Sequence, residues 1–151
     1  ARYGLPLMLA IIGGDPKRFA PYVDLYHRAL DQLGAEKLPI GVHSPGFIAD
    51  TDEDAKRIFF PHFKANRDRI GADRGWPPMR VDEFDQEVRH GSLYVGSPET
   101  VARKIADTVR ALGVDRFDLK YSAGPLPHQH AMRAIELYGT KVLPMVRELL
   151  S

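Results

Sequence analysis

The chain has 151 residues, of which 44% are hydrophobic and 27% charged, with 21 Lys+Arg against 20 Asp+Glu. That balance excludes a disordered, fibrous or low-complexity chain and predicts one globular domain over residues 1–151 with a sizeable core. A net charge of +1 with no concentrated basic run points away from nucleic acid. The absence of Cys excludes disulfides and thiolate metal sites and fits a reducing cytoplasm.

The first apolar run, Leu5 to Ile12, is 8 residues long, whereas a membrane-spanning helix needs about 20, so no membrane segment is expected. No charged leader and cleavage site precede it, so no signal peptide is expected either. The chain opens on Ala1 almost directly into this run and reads as a piece of something longer. Leu5 to Ile12 is predicted to be a strand buried on both faces, the pattern of a parallel sheet covered by helices. Gly13-Gly14 ends it, and Asp15-Pro16 opens a helix whose apolar stripe is Phe19, Val23, Tyr26, Leu30 and Leu33, with Gly34 as the stop.

Pro39 to Ala49 is predicted to be the second strand, kinked near Pro45-Gly46. Thr51 with Asp54 resembles a capping box for a helix carrying Ala55, Ile58, Phe59, Phe63 and Ile70, and Pro61 is expected to bend or restart it. Residues 71–79 read as irregular, Val81 to Arg89 as a short helix and Ser92 to Val95 as a brief extended segment. Trp76-Pro77-Pro78-Met79 suits a loop packed on its own chain, with a pocket cover or a protein contact as rivals.

Ser97, Pro98 and Glu99 make the clearest helix start, and Gly113 closes that helix. Arg116 to Ser122 alternates, with Phe117, Leu119 and Tyr121 on one face and Asp118, Lys120 and Ser122 on the other. The charged face fits the polar lumen of a barrel, or equally a sheet edge in water. Leu126 to Leu150 is helical, interrupted at Gly139 and bent near Pro144. The recurring strand–helix alternation means a parallel sheet with right-handed crossovers.

The residues do not by themselves declare a reaction. His128 and His130 are two apart and do not share a helix face, and no His-x-x-x-His pair occurs, so no metal is expected. His43 reads as a packed strand histidine. Gly13-Gly14 stands where parallel folds place ligands, but no Walker lysine or G-x-G-x-x-G accompanies it; a phosphate site and a plain tight turn stay open. Gly96-Ser97 carries the same two readings. No nucleophile constellation or carboxylate pair is recognisable.

Several stretches together resemble the carboxyl-terminal part of the luciferase-like monooxygenase family, flavin- or deazaflavin-dependent (β/α)8 TIM barrels. They are Ala1-Arg2-Tyr3-Gly4-Leu5-Pro6-Leu7, the acidic helix start Ala49 to Ala55, Tyr94-Val95-Gly96-Ser97-Pro98-Glu99-Thr100-Val101, Leu112 to Phe117 and Val142-Leu143-Pro144. The resemblance implies a partial barrel, the last three or so β/α units with parallel strands, in a parent about twice this length. It implies FMN, or alternatively a deazaflavin, as cofactor, and a small organic substrate. Ile12, Gly13 and Gly14 after the first strand, and Tyr121, Ser122 and Gly124 after the last, would line the cofactor side of the barrel mouth. The catalytic side chains and much of the phosphate site would lie upstream, so the isolated chain is expected to bind flavin weakly and not to turn over. Association between copies is expected because the sheet lacks cover on one face. A self-associating interaction module and a non-catalytic phosphate-binding domain are the rival readings.

Overall fold

The computed structural model describes residues 1–122 and 124–151. Four strands, β1 (Leu7–Ala10), β2 (Ile40–Ile48), β3 (Tyr94–Gly96) and β4 (Arg116–Lys120), form one sheet in which every pairing is parallel. Six helices connect and follow them: α1 (Ala20–Gln32), α2 (Asp52–Ala72), α3 (Val81–His90), α4 (Pro98–Leu112), α5 (His128–Leu137) and α6 (Leu143–Leu150). β2 is the hub. Its first half pairs with β1 (Leu7↔Ile40 to Ala10↔His43) and with β4 (Gly41↔Arg116 to Pro45↔Lys120), while its last three residues pair with β3. The short β3 therefore attaches only to the upper end of β2, and β4 lies directly against β2.

Caps set the helix boundaries. Thr51 Oγ1 accepts from the Asp54 amide at 3.1 Å, and Ser97 Oγ from the Thr100 amide at 3.4 Å. Asp15 caps a 3-10 turn over Pro16–Phe19 that leads into α1. Gly113 closes α4 with a left-handed φ of +61°, a conformation that needs no Cβ. The interruption expected at Gly139 is a π-helical turn, Tyr138–Val142, between α5 and α6. α2 runs through Pro61 without restarting; the ring lies on an exposed side of the helix.

β1 corrects one expectation. It is four residues long and alternates, with Leu7 and Leu9 packed into the core while Met8 is 45% exposed and Ile12, beyond its end, 71% exposed. The apolar run is real, but among the described residues nothing covers its second face. Leu33 and Ile70, expected on buried stripes, sit at helix ends and are exposed.

Two apolar clusters lie behind the sheet. One joins β2 (Ile40, Val42) to α1 (Val23, Tyr26, Leu30); the other joins Ile48 and Tyr94 to α4 and α6. A third, at the upper end, packs Phe47 of β2 against Phe59 of α2 and Phe84 of α3. The opposite side of the lower sheet carries Met8, His43, Arg116, Asp118 and Lys120 by register, with Arg116 Nε donating to Asp118 at 2.8 Å. Asp118 and Lys120 thus stand on the open side of the sheet. Among the described residues no helix is long and apolar enough to cross a membrane.

Candidate functional site: a cavity at the carboxyl end of the first strand

Parallel sheets bind ligands beyond the carboxyl ends of their strands, where helix-starting loops gather. Here that position holds a cavity of about 340 Å³, within the range of about 300–1,000 Å³ usual for small-molecule sites. Ile12 and Gly13, just past β1, form one side; Phe63 of α2, Met79 and Leu93 add apolar surface; Trp76 closes the far wall. Trp76 is held by its own chain: a Cβ on Gly71 would come within 3.0 Å of the Trp76 Cβ, and the guanidiniums of Arg67 and Arg74 lie over the indole at 5.7 and 5.1 Å. The 71–79 loop is thus packed on its own chain and, in being so, walls a pocket.

The polar groups around the cavity are mostly committed to one another. Arg67 donates to Glu83 at 2.9 Å and to the Pro77 carbonyl. Glu87, in the last turn of α3, accepts from the Gly14 amide at 3.1 and 3.2 Å. It also accepts from the Ser92 amide at 2.9 Å and the Ser92 hydroxyl at 3.2 Å. A carboxylate of this chain therefore takes the Gly14 donor that the phosphate-site reading would have offered an anion.

The second candidate anion position is filled the same way. Asp52 accepts from the Ser97 amide at 2.6 Å and from Thr100 Oγ1 at 3.0 Å. Those hydrogen bonds hold its carboxyl below the usual range against the opposing effect of burial. Gly96 leaves room for this contact, since a Cβ there would meet Asp52 Oδ1 at 2.6 Å.

The six sequence-derived positions separate. Ile12 and Gly13 line the cavity, and Gly14 borders it through Glu87. Tyr121 lines a different cavity of about 310 Å³ with Asp118, Ile135 and Tyr138. There, burial first and the Asp118 charge second push the Tyr138 phenol above its ordinary pKa. Ser122 and Gly124 are exposed; a Cβ on Gly124 would lie 3.0 Å from Asn66 Cβ, and Phe63 and Arg67, on the same helix, line the first cavity. His43 pairs in register with Ala10 and Asp118. Among the described residues no three His, Cys, Asp or Glu side chains converge as metal ligands.

Sequence reasoning missed Glu87, Arg67 and Phe63. Glu87 meets Gly14 across 73 positions of chain, and no local pattern announces such a partner.

The surfaces present suit an uncharged planar ring better than a phosphate. Gly13 has nothing within 4 Å of where a Cβ would stand, so a flat group can approach its backbone closely. The Gly14 and Ser97 amides, at the two candidate anion positions, are already taken by Glu87 and Asp52.

A parallel β/α sheet with its cavity at the strand ends fits part of a β/α barrel. The chain belongs to the luciferase-like monooxygenase family, whose model matches residues 1–116. It is similar to the monooxygenase RslO1 of Streptomyces bottropensis, with a TM-score of 0.76 and 20% identity over 95% of this chain and 42% of that one. The FMN-bound oxygenating constituent of 3,6-diketocamphane monooxygenase of Pseudomonas putida has a TM-score of 0.65 and 21% identity, covering 91% and 42%. The coenzyme F420-dependent tetrahydromethanopterin reductase of Methanopyrus kandleri has 0.55 and 18%, covering 91% and 44%. The chain thus spans about 42% of the length of the first two. Comparison with curated protein sequences finds no match.

Proposed function

We propose that this chain is the carboxyl-terminal portion of a flavin-dependent oxidoreductase, a single domain over 1–151 that supplies ring-side wall to a flavin pocket at the barrel rim. The cavity at the end of β1, walled by Ile12, Gly13 and Trp76, carries the reading. When bound, FMN or a deazaflavin would supply the redox chemistry itself, and the protein would supply binding, orientation and exclusion of water. In that division of labour Phe63, Met79, Leu93 and Trp76 hold water off the ring, and Gly13 permits close backbone approach. Tyr121, Ser122 and Gly124, after β4, contribute the other side of the rim. The same reading carries a small organic substrate, a cytoplasmic setting and association between copies.

Flavin alone with this chain is expected to bind weakly and not turn over, because the phosphate donors here are taken by Glu87 and Asp52. Trp76 is the single tryptophan and reports on the cavity directly. Titration with FMN should quench its emission without saturating below about 10 μM. Tight stoichiometric binding with turnover would overturn the division of labour, and unchanged Trp76 emission would overturn the flavin site.

A further inference from the structure

The electrostatics of the cavity wall are set by a carboxylate, Glu87, that forms no ion pair with any group in the lining. Glu87 is held from three directions, by the Gly14 amide, the Ser92 amide and the Ser92 hydroxyl. Gly91 makes this possible: a Cβ there would lie 2.5 Å from the Glu87 carboxyl carbon, so the side chain folds back over the end of α3 only because residue 91 has none. The one guanidinium in the cavity lining, Arg67, is already paired with Glu83. The lining therefore presents one cation against two carboxylates; the carboxylate beside Gly13 makes no ion pair, and the buried Lys104 ammonium that feels its charge lies outside the lining and is spent on the carbonyls of Glu87, Val88 and Leu93.

We infer that Glu87 makes this cavity selective for an uncharged planar ring and against a phosphate. The ligand enters ring first, and its phosphate points away from β1, toward donors outside the cavity. Glu87 is thus a selectivity residue, acting by like-charge repulsion on an anion brought near Gly14 and by denying that anion the amides it needs. The inference rests on the flavin reading above and deepens it.

The test compares lumichrome, riboflavin and FMN on the whole chain, reading Trp76 emission, in low and high salt and in Glu87→Gln. At low ionic strength FMN is expected to bind about 3- to 10-fold more weakly than riboflavin, and the gap should close above about 0.5 M salt as screening removes the repulsion. Glu87→Gln should also close the gap, with riboflavin affinity held within about two-fold, since glutamine keeps an acceptor for the same amides but not the charge. FMN binding ten-fold tighter than riboflavin to the unaltered chain would overturn the inference and leave the flavin reading standing. Failure of all three ligands to perturb Trp76 would remove both. Should Glu87→Gln fail to fold, the salt series on the unaltered chain decides alone.

Discussion

Replacing Gly46 with alanine is expected to cost about 3 kcal/mol, equivalent to a fall of about 10 °C in Tm, and valine should cost more. Gly46 sits in β2 at the point where the strand passes from its β4 partner to its β3 partner, in register with Tyr94. A Cβ there would collide with the Tyr94 carbonyl oxygen, come within 2.5 Å of Leu119 Cδ1 and lie 3.0 Å from Tyr94 Cβ. A leucine end can rotate, but a backbone carbonyl inside a ladder cannot move without breaking the β2–β3 pairing. Gly139, with nothing within 4 Å of its missing Cβ, is the control, and its alanine variant should melt like the unaltered chain. Thermal denaturation of the two variants side by side checks the argument; equal melting would refute the account of why three strands converge on β2.

Lys104→Met is expected to destabilise by about 2 kcal/mol, with an effect that grows with pH. The ammonium donates to the carbonyls of Glu87 at 3.3 Å, Val88 at 2.7 Å and Leu93 at 2.8 Å, and lies 5.0 Å from the Tyr94 ring centroid. It serves as the C-terminal cap of α3, satisfying carbonyls that a helix end leaves open. Methionine keeps the apolar stem but removes the donor from the Val88 and Leu93 carbonyls, the Glu87 carbonyl keeping the Gly91 and Leu93 amides, and a stranded buried acceptor costs about 1–3 kcal/mol.

Burial lowers the Lys104 pKa from 10.5 to about 8, against the opposing charges of Glu87 and Asp15. Between pH 8 and 10.5 the unfolded chain therefore still holds a proton that the folded chain has released, and stability rises with pH through that window. The methionine variant lacks this contribution. The gap between the two proteins should be constant below pH 8 and widen up to pH 10.5. Chemical denaturation across that range measures it, and a gap that stayed flat or narrowed would contradict the assignment.

Much of the fold was legible because its signals are local. Asp15-Pro16, Thr51 with Asp54 and Ser97-Pro98-Glu99 each state a helix start in the residues that perform the capping. The parallel sheet followed from strand–helix alternation. What periodicity does not contain is which strand meets which, so neither the direct β2–β4 pairing nor the accessory position of β3 could be read from it. The over-long, doubly buried first strand failed for a related reason: an apolar run shows that cover is wanted, not that this chain supplies it. The site was legible to the same extent. That Ile12 and Gly13 border the candidate cavity was legible because a strand end and a glycine pair are adjacent in sequence. Glu87 and Arg67 were not, because they reach the cavity through α3 and α2 folding over it from residues far along the chain.

The measurement that most directly tests the central claim is the location of a bound ring on the isotope-labelled chain. Adding lumichrome should shift the amide resonances of Gly13 and Leu93 and the Trp76 indole N–H, leaving the far side of α4 around Asp107 and Ala111 unmoved. Shifts confined to that far side, or none at saturating ligand, would contradict the placement of a flavin ring at the end of β1.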